Sequence, residues 1–89
     1  MPEITLTVRH EVGLHARPAA LFVQTANRFK SNIVVIHGER RANAKSILGV
    51  LTLGANQGAI ITVRAEGEDA DEALKALELL VESNFGEAV

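Results

Sequence analysis

The stretch Gly13-Leu14-His15-Ala16-Arg17-Pro18-Ala19 places a nucleophilic imidazole two residues from a guanidinium, at a point where a helix should begin. Gly13 permits a turn that a residue with a Cβ resists. His15 falls at the N-cap position. Ala16 and Arg17 then open the helix, with Pro18 still in the first turn, where a missing N–H costs nothing. The N–H groups of Ala16 and Arg17 are left free at the positive end of the helix dipole, and Arg17 adds a full charge. A helix start of this kind is suited to hold an anion. A histidine beside it is suited to accept a phosphoryl group, because a phosphoramidate can be passed onward where a serine ester would be too stable. Taken singly, His15 could merely cap a helix and Arg17 could be a solvated surface arginine. The combination with Gly13 and Pro18 favours the chemical reading.

The surrounding elements must hold this motif. Ile4, Leu6 and Val8 alternate with Thr5 and Thr7, which predicts a strand with one buried face. Helical spacing of Ala19, Phe22, Val23 and Ala26, with Ala16 one turn earlier, predicts a first helix from about residue 16 to about residue 27. Ile33-Val34-Val35-Ile36 reads as a well-buried strand. A turn at His37-Gly38-Glu39-Arg40 leads to a short edge strand at Arg41-Ala42-Asn43. Ser46 can cap a short helix over Ile47-Leu48-Gly49-Val50-Leu51. Residues 54–58 form a loop, and Ile60 to Ala65 the last strand. Asp69 followed by Glu72 suggests a capping box for a final helix, whose apolar face is Ala70, Ala73, Leu74, Leu77, Leu80 and Val81. The order β-α-β-β-α-β-α predicts an α+β fold of two layers, helices over one face of an antiparallel sheet.

Composition narrows the function. Eighty-nine residues make one small domain, residues 1–89, with no room for a second. No cysteine is present, which removes disulfides, thiol catalysis and thiolate metal sites together. A formal charge of −2 gives no reason to bind nucleic acid. His10 and His37 lack ligand-spaced neighbours and read as surface residues, so no metal is expected. There is no glycine-rich nucleotide loop, and no cofactor is expected. No signal peptide or membrane-spanning run is evident, which suggests a cytoplasmic protein.

The motif GLHARPA, followed by Ala-Lys-Ser-Ile-Leu-Gly at 44–49 and Glu-Gly-Glu-Asp before the last helix, resembles the HPr family, the histidine phosphocarriers of the phosphoenolpyruvate:sugar phosphotransferase system. The resemblance covers nearly the whole chain. It implies an open-faced β-sandwich of four antiparallel strands and three helices, and supplies a strand order that the pattern alone leaves open. It implies that His15 is phosphorylated on Nδ1 rather than Nε2, and that Arg17 and the backbone of Ala16 and Arg17 stabilise the phosphoryl group. Enzyme I is then the donor and an enzyme IIA domain the acceptor, with the chain a monomeric transfer intermediate and not a turnover enzyme. Ser46 matches a regulatory serine that an ATP-dependent kinase, with its phosphorylase, modifies in some lineages, where a transcriptional regulator can be a further partner. Leu48 and Leu51, with Lys45 beside Ser46, are the candidate docking residues, while Ile47 is expected to face inward. The sequence leaves two alternatives open: a nitrogen-related branch with the same histidine chemistry, and an interaction module that never carries phosphate.

Overall fold

The computed structural model describes residues 2–87. Strand β1 spans Glu3–Thr7, β2 Asn32–His37, β3 Arg40–Asn43 and β4 Ile60–Glu66. Helix α1 spans Ala16–Ala26, α2 Ile47–Leu51 and α3 Ala70–Glu82, followed by a single 3-10 turn at Asn84–Gly86. All neighbouring strands are antiparallel, in the order β1-β4-β2-β3. The fold is therefore the expected open-faced sandwich, with β1 and β3 at the edges.

Alternation drives the layering. Leu6, Ile33, Val35, Ile61, Val63 and Ala65 point inward and are buried, where they meet Ala19, Phe22 and Ala26 of α1 and Ala73, Leu77 and Val81 of α3. Each large aliphatic or aromatic side chain removed from water here contributes about 1.5–3 kcal/mol. Strand β2 differs from its sequence reading. Ile33 and Val35 are buried, but Val34 and Ile36 are only half-buried, because the helices lie on one side and no described element covers the other. On α1, Ala16 is exposed and so is not part of the buried stripe.

Three polar side chains also depart from expectation, each because of a partner far away in the chain. His10 is 7 % exposed rather than on the surface. Its Nδ1 accepts from the Val12 N–H at 3.2 Å, so Nε2 carries the proton that it donates to Glu87 at 2.8 Å. Phe85 packs edge-on against its ring. The left-handed dihedrals of Asn84 and Phe85 bring Phe85 and Glu87 back to this position. His37 is half-buried, and its Nδ1–H donates to the Leu53 carbonyl at 2.8 Å. Arg40 donates to the neighbouring Thr52 carbonyl at 2.9 Å. The β2–β3 hairpin thus satisfies carbonyls just past the end of the short helix α2.

Asp69 occupies the N-cap of α3, yet its carboxylate makes no cap hydrogen bond. It accepts instead from the Lys30 and Ser31 N–H groups, each at 2.9 Å, and from the buried Ser31 hydroxyl. It joins the α1–β2 turn to the start of α3. These bonds, the Ser31 hydroxyl foremost and the Lys30 N–H next, hold the Asp69 carboxyl below its ordinary carboxylate range. Because the folded value is depressed, the stabilisation is complete above the unfolded value of about 3.9 and is lost as pH falls through the lower folded value. Asp69→Asn should therefore melt below the parent at neutral pH, and the gap should close in strong acid. A gap independent of pH between 7 and 2 would contradict this assignment.

Candidate functional site

Gly13 has φ +74°, and its N–H donates to the His10 carbonyl at 2.9 Å. The next residue, Leu14, is fully buried and donates to the Ala55 carbonyl at 2.7 Å. This brings the motif against the loop that follows α2. The approach is so close that a Cβ on Gly13 would stand 2.6 Å from Asn56 Cα and 2.7 Å from the Ala55 oxygen. Glycine is required here for space as well as for dihedral freedom.

His15 takes the N-cap position of α1 in extended conformation, but its side chain makes no cap hydrogen bond. The ring, half-exposed, turns to the neighbouring loop, where Nε2 lies 2.8 Å from Asn56 Oδ1. Nδ1 has no hydrogen-bond partner among the described residues. Ala16 has φ +48°, a left-handed conformation that costs an alanine roughly 1–2 kcal/mol. The helix thus starts with a strained residue directly after the histidine. Arg17 is exposed and forms no ion pair or hydrogen bond among the described residues. Pro18 is buried in the first turn, and no acidic residue there offsets the positive end of the helix. His15, Ala16 and Arg17 accordingly share one open surface with free positive charge and free N–H groups. A hollow of about 420 Å³ lies elsewhere, by β2 and β3, and includes none of these residues.

The second motif forms a separate patch on α2, which packs on α1 and β3. Ser46 caps α2 as expected, accepting from the Gly49 N–H at 3.1 Å. Leu48 is 74 % exposed and Leu51 38 %. Ile47 is 40 % exposed, so it joins this apolar surface instead of facing inward. A helix of so few residues buries only the one side chain, Val50, that points straight at the core. Lys45 is half-buried, its ammonium held 2.6 Å from the Phe29 carbonyl. No hydrogen bond joins Ser46 or Lys45 to His15 or Arg17 among the described residues. The two patches are linked by the chain from α2 to Asn56.

Asn56 is the contact that sequence reasoning missed. Residues 54–58 carried only the composition of a loop, and no local signal pairs an asparagine with a histidine 41 positions earlier.

Comparisons with known proteins give the family and the fold. The family model described as "PTS HPr component phosphorylation site" matches residues 2–83. The chain is 48 % identical over 87 residues to the phosphocarrier protein HPr of Xylella fastidiosa strain Temecula1, covering 98 % of each. It is 45 % identical over 82 residues to the HPr-like protein Crh of Bacillus subtilis strain 168, covering 92 % of this chain and 96 % of that one. A crystal structure of HPr-C-His from Thermoanaerobacter tengcongensis superposes over the full length of both chains with a TM-score of 0.97 and 52 % identity. A fold of this order, bearing the histidine motif at the uncapped start of its first helix, belongs to the HPr family of phosphotransferase-system phosphocarriers.

Proposed function

We propose that His15 accepts a phosphoryl group on Nδ1 from phosphorylated enzyme I and delivers it to an enzyme IIA domain. The observation that supports this most directly is that His15 occupies a helix N-cap without capping it. Its ring is spared that structural duty and stands half-exposed beside an unneutralised helix start. Arg17 is free to form a bidentate fork with the arriving phosphate oxygens, and the Ala16 and Arg17 N–H groups can add fixed donors. The site is an open surface that another protein can meet, in keeping with a carrier whose cargo passes from protein to protein. Among the described residues no helix is long and apolar enough to cross a membrane.

Incubation with phosphoenolpyruvate and enzyme I tests the reading. The chain should acquire one acid-labile phosphate and lose it on addition of an enzyme IIA domain. No label would mark it as an interaction module.

Ser46 is proposed as a switch on docking through the apolar surface of Ile47, Leu48 and Leu51. Aspartate is as good an N-cap as serine, so Ser46→Asp should keep α2 intact. The new charge instead meets partner acids drawn to Arg17. An exposed pair of charges at contact is worth about 1 kcal/mol in water, so the initial rate of labelling should fall about fivefold. Added salt should restore part of it, since the Debye length is only about 8 Å at physiological ionic strength. An unchanged rate, or a loss that tracks a lower melting temperature, would rule the switch out.

A further inference from the structure

Among the described residues Asn56 is the one side chain that hydrogen-bonds the His15 ring, and acceptance of a phosphoryl group on Nδ1 does not itself require it. Its main chain is held on both sides. The preceding Ala55 is fully buried and accepts from Leu14, while the Asn56 carbonyl accepts from the Ala59 N–H at 2.9 Å. Gly13 lies against its Cα with no room for a Cβ. The side-chain amide is exposed, but the backbone beneath it is anchored to the same residues that place the histidine. An amide oxygen can only accept a hydrogen bond, so with Oδ1 facing the ring at 2.8 Å the proton resides on Nε2 and the lone pair on Nδ1.

We propose that Asn56 is a positioning residue for phosphoryl transfer, holding His15 in the Nε2–H tautomer so that Nδ1 is always the nucleophile; this rests on the carrier reading above. In that tautomer the Nδ1 lone pair forms a new N–P bond to the phosphoryl group of a phosphohistidine donor. The donor's P–N bond breaks and its electron pair returns to the donor ring. No proton leaves His15, whose ring becomes cationic with Nε2–H still donating to Oδ1. On delivery the P–Nδ1 bond breaks, its electron pair returns to Nδ1, and the same neutral tautomer is restored. The opposite tautomer carries its proton on the attacking nitrogen and must lose it first. Asn56 thereby removes a proton transfer from both directions of the reaction.

The test is nitrogen-15 NMR of the unphosphorylated imidazole in mildly alkaline buffer, for the parent, Asn56→Ala and Asn56→Asp. The parent should show a protonated Nε2 and a bare Nδ1. Loss of an ordinary hydrogen bond in Asn56→Ala should shift the tautomer ratio roughly fivefold toward Nδ1–H, and slow enzyme I-dependent labelling in proportion to the fraction of Nε2–H lost, with an unchanged KM for the donor. Asn56→Asp still accepts and should restore the parent tautomer. Phosphoramidate, a small donor that needs no enzyme, should label the parent on Nδ1 and Asn56→Ala partly on Nε2. An Nδ1–H tautomer in the parent, an unmoved ratio in Asn56→Ala, or a moved ratio with the parent's labelling rate would overturn the proposal. If enzyme I fails to label the parent while the NMR and phosphoramidate results hold, the carrier reading falls and the tautomer assignment stands.

Discussion

Replacement of His15 by alanine is expected to abolish enzyme I-dependent labelling entirely while the protein remains folded. The side chain makes no cap hydrogen bond, and its contact to Asn56 is exposed, so its loss should cost no more than about 1 kcal/mol. For a domain of this size that is a fall of about 4–8 °C in melting temperature. The other two histidines should not substitute. His10 is buried with both ring nitrogens engaged, by the Val12 N–H and by Glu87. His37 has Nδ1 committed to the Leu53 carbonyl and sits on the β2–β3 hairpin, facing the residues that follow the C-terminal end of α2. Phosphate recovered on His10 or His37 in the His15→Ala protein would refute the assignment.

Gly13→Ala should be strongly damaging although it leaves the chemical groups of the motif untouched. The left-handed φ of +74° costs an alanine roughly 1–2 kcal/mol. The added methyl also meets backbone atoms of Ala55 and Asn56 at 2.6–2.7 Å, which cannot rotate away, and overpacking of that kind costs about 1–3 kcal/mol more. The sum, about 3 kcal/mol, corresponds to a melting-temperature loss on the order of 15 °C. Relief of the clash requires the two segments to part, which also separates Asn56 from His15, so labelling should slow even at temperatures where the protein is folded. Gly58→Ala is the control, since Gly58 has φ +88° but nothing within 4 Å of the place its added methyl would take. It should lose only the dihedral contribution and label normally. Equal effects at the two glycines would show that the close approach at Gly13 is unimportant.

Much of this could be read from local pattern. The alternation of Ile4, Leu6 and Val8, the turn at Gly38 and the helical spacing of α3 each lie within a few residues, and each appears where the pattern placed it. Ser46 caps α2 because its partner, the Gly49 N–H, is also local. What escaped was decided by partners remote in the chain. Asn56 became a site residue through Leu14 and Ala55, and His10 was buried by Phe85 and Glu87. Asp69 looked like a cap from Glu72, but its carboxylate is taken by Lys30 and Ser31. Burial of Ile47 was overestimated because a one-and-a-half-turn helix has little inner face.

The strand order has a consequence for when the protein becomes competent during synthesis. Among the described residues strand β1 pairs only with β4, with Glu3 opposite Arg64, and β2 needs β4 on its other side. His15 leaves the ribosome 41 residues ahead of Asn56, and β4 follows later still. Only the β2–β3 hairpin can close early, because loop closure grows costlier with separation and non-local pairing is slow. A nascent chain halted before Asn56 therefore carries the whole histidine motif but neither the loop that orients it nor the strand that anchors β1. In this topology the histidine motif is fully seated only once β4 has been made.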